Sequence, residues 1–268
     1  MIIPILIVKN DLKSKYDKRI ETENFKFKKG ETINYPTKKE LEGEAKEKSP
    51  KTLLTILSED GKVIRRIPGK NKKGYHENYW DLRTFSYRNI EDEQDFSGAL
   101  VPPGKYSVYL EEFENNIFKA LSEKFSFNVI PIARKSSKTE RESLFEFQIK
   151  FDKLFADVEK LIDDINNKIK KVDEEINKLI KSENKKDLSE LNNKKGKLMD
   201  LRMELTGTIS LNYADVFSGS PPSLLRRLGS MNWELYSTTS KQTKTHEKTL
   251  NISKEKYEQL LNKFKNLQ

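Results

Sequence analysis

The clearest pattern in the chain lies in its second half. Leu144, Phe147, Phe151, Leu154, Val158, Leu161, Ile165, Ile169, Val172, Ile176 and Leu179 recur at spacings of three and four, the repeat of one helix face. That stripe predicts a helix of about 54 Å at 1.5 Å per residue. The successive fours at Leu161, Ile165 and Ile169 loosen a strict heptad, so this coiled-coil-like helix is expected to be nearly straight there. Ser182 to Asp187 is polar and reads as a turn, with Asp187 as the next cap. Leu188, Leu191, Leu198, Leu201 and Leu205 then carry a second helix back to Gly207. Such a stripe is too apolar to face water, so further elements must cover it. Ser220-Pro221-Pro222 reads as a helix start, followed by Leu224, Leu225, Leu228, Met231 and Leu235. Hydroxyls at 237–240 interrupt the pattern, and Leu250, Tyr257, Leu260, Leu261, Phe264 and Leu267 make a last amphipathic helix. Residues 136–268 thus read as an antiparallel helical bundle with a long hairpin over 138–206.

The first half alternates with period two instead. Tyr106, Val108 and Leu110 alternate with Lys105, Ser107 and Tyr109 after the turn signal Pro103-Gly104. Trp80 and Leu82 alternate with Tyr79, Asp81 and Arg83, predicting a strand over 74–83 with Trp80 as a core anchor. Leu53 to Leu57, the hairpin signal Glu59-Asp60-Gly61, the run from Val63 to Ile67, and Phe125 to Ile132 supply the other strands. Residues 53–135 read as a small β-sandwich. Before it, residues 1–52 read as an N-terminal strand and short linking helices. One helix is expected over 9–23, a basic loop over 26–34, and a second helix from Thr37, whose capping box is completed by Glu40. That second helix is expected to end near Lys48, before Pro50.

Composition narrows the chemistry. The 268 residues hold 35% hydrophobic and 35% charged side chains, a balance suited to long exposed helices. There is no cysteine, which removes disulfides, thiolate catalysis and cysteine-ligated zinc together. The net charge of +9 comes from 51 basic residues set among 42 acidic ones, the interspersed pattern of a solvated surface. The opening run Met1 to Val8 is too short to span a bilayer and lacks the basic start of a signal peptide. It reads as a buried edge strand, with Ile3, Ile5 and Ile7 as candidate interface positions. A chain starting in mid-strand points to a fragment whose preceding domain is missing.

No constellation reads as a reaction centre, and no cofactor or metal is expected. His76 and His246 fall in different predicted domains, and neither has an accompanying carboxylate cluster. The acid pairs Asp163-Asp164, Glu174-Glu175 and Glu111-Glu112 alternate with lysines as solvated faces do. Gly69 to Gly74 carries Lys70, Lys72 and Lys73 but lacks the strand–loop–helix setting of a phosphate cradle. It reads as a solvated hairpin tip, and nucleic-acid binding is not expected. Tyr75, Tyr79, Phe85, Tyr87 and Phe96 cluster in sequence. Of these, Tyr75, Tyr79 and Tyr87 are the candidate rings for a carbohydrate platform; the competing reading is core packing and an interface.

Three stretches together resemble a known family. Gly74-x-His-x-x-x-Trp80-Asp81-Leu-Arg83 and Gly98-x-Leu-Val-x-Pro103-Gly104-x-Tyr106-x-Val-x-Leu110 resemble the Ig-like (FlgD-like) module of certain bacterial proteins. Those proteins carry a sortilin-like (VPS10/BNR, Asp-box) β-propeller and are usually labelled glycosyl hydrolases. Pro221-Pro-Ser-Leu224, with Trp233 to Ser240 and Thr243-x-Thr-His246, is similar to the same family's helical end. The resemblance implies an Ig-like β-sandwich followed by a helical bundle, in which Trp80, Asp81, Arg83, Pro103, Gly104 and Tyr106 are motif residues. It implies a non-catalytic scaffold, partnered by a missing or separate propeller or by a second copy through the helices. It also implies an extracytoplasmic location and, as an alternative role, glycan binding. The repeated Ser-x-Asp-x-Gly-x-Thr-Trp turns of the propeller are absent from this chain, so the glycosidase label belongs to the part not present. Tyr236 and Lys241-Gln242 depart from the family pattern.

Overall fold

A computed structural model describes residues 5–8, 11–88, 97–132, 136–181, 185–207 and 222–267. The protein is a multidomain α and β molecule, with antiparallel strand pairing and six helices among the described residues. Its chain divides into two compact units, residues 1–85 with 100–133, and residues 86–99 with 134–268. The first 52 residues therefore share a unit with the strands, and residues 86–99 belong with the long helices.

In the strand unit, β1 (Ile5–Val8) pairs antiparallel with β4 (Gly74–Glu77). Helix α1 (Lys15–Lys28) begins at a capping box between Ser14 and Asp17. It runs on to Lys28, into the start of the basic stretch expected to be a loop, because the first stop signal is Gly30 at φ +70°. Gly30 N–H donates to Phe27 and Glu31 N–H to Lys26, both 3.0 Å, the paired bonds of a Schellman end. Helix α2 (Lys38–Lys46) has the expected Thr37–Glu40 box and ends as Glu47 turns extended. Neither helix buries a side chain. Arg19 ties them, its guanidinium donating to both Glu44 oxygens at 2.7 and 2.8 Å.

The main sheet centres on β2 (Lys51–Ser58) and β7 (Gly104–Glu114), paired from Lys51–Phe113 to Ser58–Tyr106. On the other side of β2 lies β3 (Val63–Pro68), reached through the expected turn, where Gly61 has φ +81°. Strand β7 is longer than predicted, and two strands share its far side. Its first half pairs with β9 (Phe125–Val129) and its last four residues with β8 (Ile117–Ala120). Asn115 and Asn116, at φ +52° and +63°, make the β7–β8 turn; asparagine tolerates the left-handed region without glycine's advertisement. Between β4 and β7 lie two short strands, β5 (Arg83–Phe85) and β6 (Ser97–Leu100).

The continuous strand expected over 74–83 does not form. After β4 the backbone folds on itself, and Leu82 sits at φ +62°, so the Trp80/Leu82 alternation is broken. Asp81 accepts from Arg83 N–H at 3.0 Å, and Trp80 Nε1 donates to the Arg83 carbonyl at 2.8 Å. These local bonds favour the knot over an extended run. Trp80 is nonetheless 2% exposed. Its ring meets Tyr106 edge-on at 5.8 Å and Phe127 at 6.1 Å, beside buried Leu54, Ile56, Val108 and Leu110.

In the helical unit, α3 (Lys138–Lys181) is 44 residues long, about 66 Å. Helix α4 (Lys185–Thr206) starts before Asp187, which is therefore inside the helix and not its cap. Gly207 at φ +87° ends it, with its N–H on Met203. Helix α5 (Leu224–Tyr236) is capped by Ser223, three residues later than expected, because that hydroxyl reaches Arg226 N–H. Helix α6 (Lys244–Lys265) has a Thr243–His246 box. One apolar core joins all four, through Phe151, Val158 and Ile165 of α3, Leu198 and Leu205 of α4, Leu228 and Leu235 of α5, and Leu260 of α6. Leu228→Ala is expected to destabilise this unit by about 2–5 kcal/mol. Leu41→Ala on exposed α2 is expected to shift stability by less than about 0.5 kcal/mol. Urea denaturation followed by far-ultraviolet circular dichroism measures both.

Candidate functional site

The motif residues of the sequence gather around the Trp80 knot and hold it. Arg65 is buried, its Nη1 donating to Asp81 at 3.2 Å and to the Thr84 carbonyl at 3.3 Å. Asp81 in turn holds Arg83 N–H. Pro103 and Gly104 lead into β7, where Tyr106 O–H donates back to the Pro102 carbonyl at 2.7 Å. Each polar atom named here bonds to neighbouring chain, which fixes backbone around the aromatic core.

The candidate platform rings lie apart from that core. Tyr75, in β4, is 77% exposed and Tyr79 is 55% exposed. Tyr79 O–H donates to Glu77 at 3.1 Å, and that carboxylate raises the phenol above its usual pKa. Tyr87 belongs to the helical unit, where the Lys153 ammonium stands 5.0 Å from its ring centre. Ile5 and Ile7 occupy the β1 register opposite Glu77 and Tyr75; Ile3 lies outside the described residues.

The lysine-rich segment 69–73 is a stitch and not a free hairpin tip. Asn71 accepts from Thr52 N–H at 2.9 Å, donates to the Pro50 carbonyl at 2.7 Å, and receives Leu12 N–H on its own carbonyl at 2.8 Å. Asp11 accepts from Lys73 N–H at 2.6 Å. An asparagine has both a donor and an acceptor for this, so the chain entering α1 is tied to the start of β2. Lys70, Lys72 and Lys73 remain exposed. His76 donates to the Lys72 carbonyl. His246 caps α6 and contacts Glu234 at 2.9 Å.

Two carboxylates are buried against expectation: Asp152, which the sequence pattern does not single out, and Glu111, expected on a solvated face. Asp152 of α3 is buried and accepts from Tyr87 N–H at 2.7 Å and from Ser86 O–H at 3.1 Å. Beside it Arg88 forks onto Glu159 at 2.8–3.2 Å, its guanidinium 3.6 Å from the Phe155 ring centre. Gln148, one turn before Asp152, donates to the Leu235 carbonyl at 2.7 Å. The signal that could have found them is the row Gln148, Asp152, Phe155, Glu159 at helical spacing, polar positions interleaved with the apolar stripe of α3. Glu111 of β7 is 2% exposed and accepts from Thr55 O–H, from Arg66 Nε at 2.7 Å and from Tyr109 O–H at 2.8 Å. Its neighbour Glu112 points to the other sheet face, so these adjacent acids do not form a working pair. Counting the β2–β7 and β2–β3 registers would have put Thr55 and Arg66 on its face, one same-side position along the sheet.

No protein-family model, curated protein or solved structure matches the chain. Among the described residues, no group of three or more histidine, aspartate or glutamate side chains gathers as a metal site. Nor is any described helix long and apolar enough to cross a membrane.

The two buried acids respond to pH in opposite senses. Burial pushes Asp152 above its ordinary value of 3.8, outweighing the bonds from Tyr87 and Ser86. For Glu111, burial also raises the pKa, but the bonds from Thr55, Arg66 and Tyr109 outweigh it and hold the group below 4.5. A raised folded pKa gives stability that is fully present at low pH and is lost as pH rises through that value. A lowered one gives stability that is present above the unfolded value and lost as pH falls through the folded one. The stability of the protein relative to Asp152→Asn is therefore expected to fall with rising pH. Relative to Glu111→Gln it is expected to rise. Urea midpoints of the three proteins between about pH 3 and pH 7 read both slopes, and the same sign for both would contradict the assignment.

Proposed function

We propose that this chain is a non-catalytic scaffold and interaction module, an Ig-like β-sandwich followed by an antiparallel helical bundle. In this reading it works outside the cytoplasm as the accessory part of an Asp-box β-propeller protein. The observation that carries the proposal is the use made of Glu111 and Asp152. Both buried carboxylates are occupied by donors that fix strands or backbone, whereas a catalytic acid or base needs a face turned to a substrate. The Tyr106 hydroxyl bonded four residues upstream supports the Ig-like reading, since that contact resembles the tyrosine corner of such domains. The exposed rings Tyr75 and Tyr79, beside the β1–β4 pair, offer the kind of aromatic surface that protein interfaces favour.

The direct test is surface plasmon resonance between this chain and a purified Asp-box propeller, encoded in frame with it or by a neighbouring gene. Saturable binding is expected, weakened about tenfold or more when Tyr75 and Tyr79 are both replaced by serine. No association up to roughly 100 μM propeller would refute the pairing. The same exposed rings also favour a second reading, a carbohydrate-binding accessory module. Glycan binding that disappears in Tyr79→Ala, with the fold intact, would select it.

A further inference from the structure

The antiparallel register sorts the main sheet into two faces, because residues paired across strands point the same way. One face carries Tyr106, Val108 and Leu110 against the Trp80 core. The opposite face carries Lys105, Ser107, Tyr109, Glu111 and Phe113 of β7. Beside them in register stand Lys51, Leu53, Thr55 and Leu57 of β2, Arg66 of β3, Phe118 and Ala120 of β8, and Ser126 and Asn128 of β9. An ordinary solvated sheet face has no need of a buried charge. This one has Glu111 at 2% and Thr55 at 0% exposure, and desolvating a carboxylate is unfavourable unless its partners compensate.

The product of that arrangement is an aimed cation. Glu111 takes the Nε edge of Arg66, and the guanidinium lies 4.2 Å from the Phe118 ring centre. The carboxylate holds one edge and the ring backs the plane, which leaves the Nη groups as the donors for a second acceptor. Lys124 stands 5.8 Å from the Tyr109 ring centre on the same face. Glu111 is the single acid among the register-paired residues of this face, against Lys51, Arg66 and Lys105. Since Glu111 is consumed by Arg66, the remaining charge is positive. Phe118 is exposed, Phe113 and Tyr109 are half-exposed, and Ser126 and Asn128 add exposed neutral hydrogen-bonding groups.

We propose that this open sheet face binds an acidic polysaccharide. A uronate carboxylate would take the free edge of Arg66, whose plane Phe118 backs, and Lys105 and Lys124 would hold neighbouring acidic units. Hydroxyl and amide groups between the cations suit sugar hydroxyls. A few separated cations suit one carboxylate per sugar better than the denser phosphates of a nucleic acid. The site goes beyond the interaction module proposed above, and uses none of Tyr75, Tyr79 or the β1–β4 pair.

Isothermal titration calorimetry of the full chain with polygalacturonate tests it, with dextran, single-stranded poly-dT and poly-L-glutamate as comparison probes. Lys105→Gln/Lys124→Gln leaves the Glu111 cluster whole and alters only exposed positions, so it is the primary variant. Polygalacturonate is expected to bind more tightly than the other three. Its affinity is expected to drop about tenfold or more in that variant and to be unchanged in Lys70→Gln/Lys72→Gln, which removes the same charge elsewhere. Phe118→Ser is expected to weaken binding as well, with the thermal transition retained. Equal losses in the two lysine pairs would reduce the effect to net charge and overturn the proposal. So would tighter binding of poly-dT or poly-L-glutamate, or no binding of polygalacturonate at low salt. Propeller docking measured on the same lysine variant separates the two readings, because it is expected to survive when glycan binding fails.

Discussion

The register between β2 and β7 is the constraint on which the strand unit depends. Eight successive pairings, from Lys51–Phe113 to Ser58–Tyr106, decide which side chains meet Trp80 and which meet water. Because side chains alternate with period two, a slip of one residue would exchange the faces completely. Val108 and Leu110 would then stand in solvent, and Glu111 would be driven into the aromatic core. The energetic contrast between those arrangements is large, since burying an unpaired carboxylate adds to the loss of apolar burial. Hydrophobic alternation and the Glu111–Arg66–Thr55–Tyr109 group thus enforce the same pairing from opposite sides of the sheet.

The helical unit is organised by a comparable division of labour. Its apolar core joins α3 to α6 without regard to direction, because dispersion and hydrophobic burial are non-directional. Direction comes from a few polar contacts on the flank of α3. Asp152 receives a main-chain N–H and a hydroxyl from Tyr87 and Ser86, Arg88 forks onto Glu159, and Gln148 caps the open carbonyl of Leu235 near the end of α5. The core supplies most of the burial, and these contacts select one placement of the segment 86–88 along the helix.

Legibility in the sequence tracks the range of the interactions involved. The α3 stripe, the Thr37 start, the Gly61 turn and the Gly207 stop are local, and one stretch of sequence states each of them. The Thr37 capping box and the glycine φ values bear out those local signals. The extension of α1 to Lys28 is hidden because Gly30 reads equally well as part of a loop and as the terminator of a helix. The Asn115-Asn116 turn is hidden because neither residue is glycine. The Trp80 knot is hidden because its bonds compete with a strand pattern that looks complete. Asp152, Glu111 and Asn71 are invisible for a different reason. Partners such as Thr52 for Asn71, Thr55 for Glu111 and Ser86 for Asp152 are 19 to 66 residues away, so only the assembled pairing reveals that these polar side chains are buried or bridging.

Helices α1 and α2 are the counterexample, elements held without burial. Neither inserts a side chain into a core, and Arg19 with Glu44 provides a charged link between them. Segments of that kind open without waiting for global unfolding, since little apolar area is exposed when they do. Their amides should therefore exchange with solvent well before those of β2, β7 or α3. An ion pair at the surface also weakens as salt screens it. The entrance to the strand unit is in this sense a loosely latched door whose ease of opening is set by ionic strength, while the sheet behind it keeps its shape.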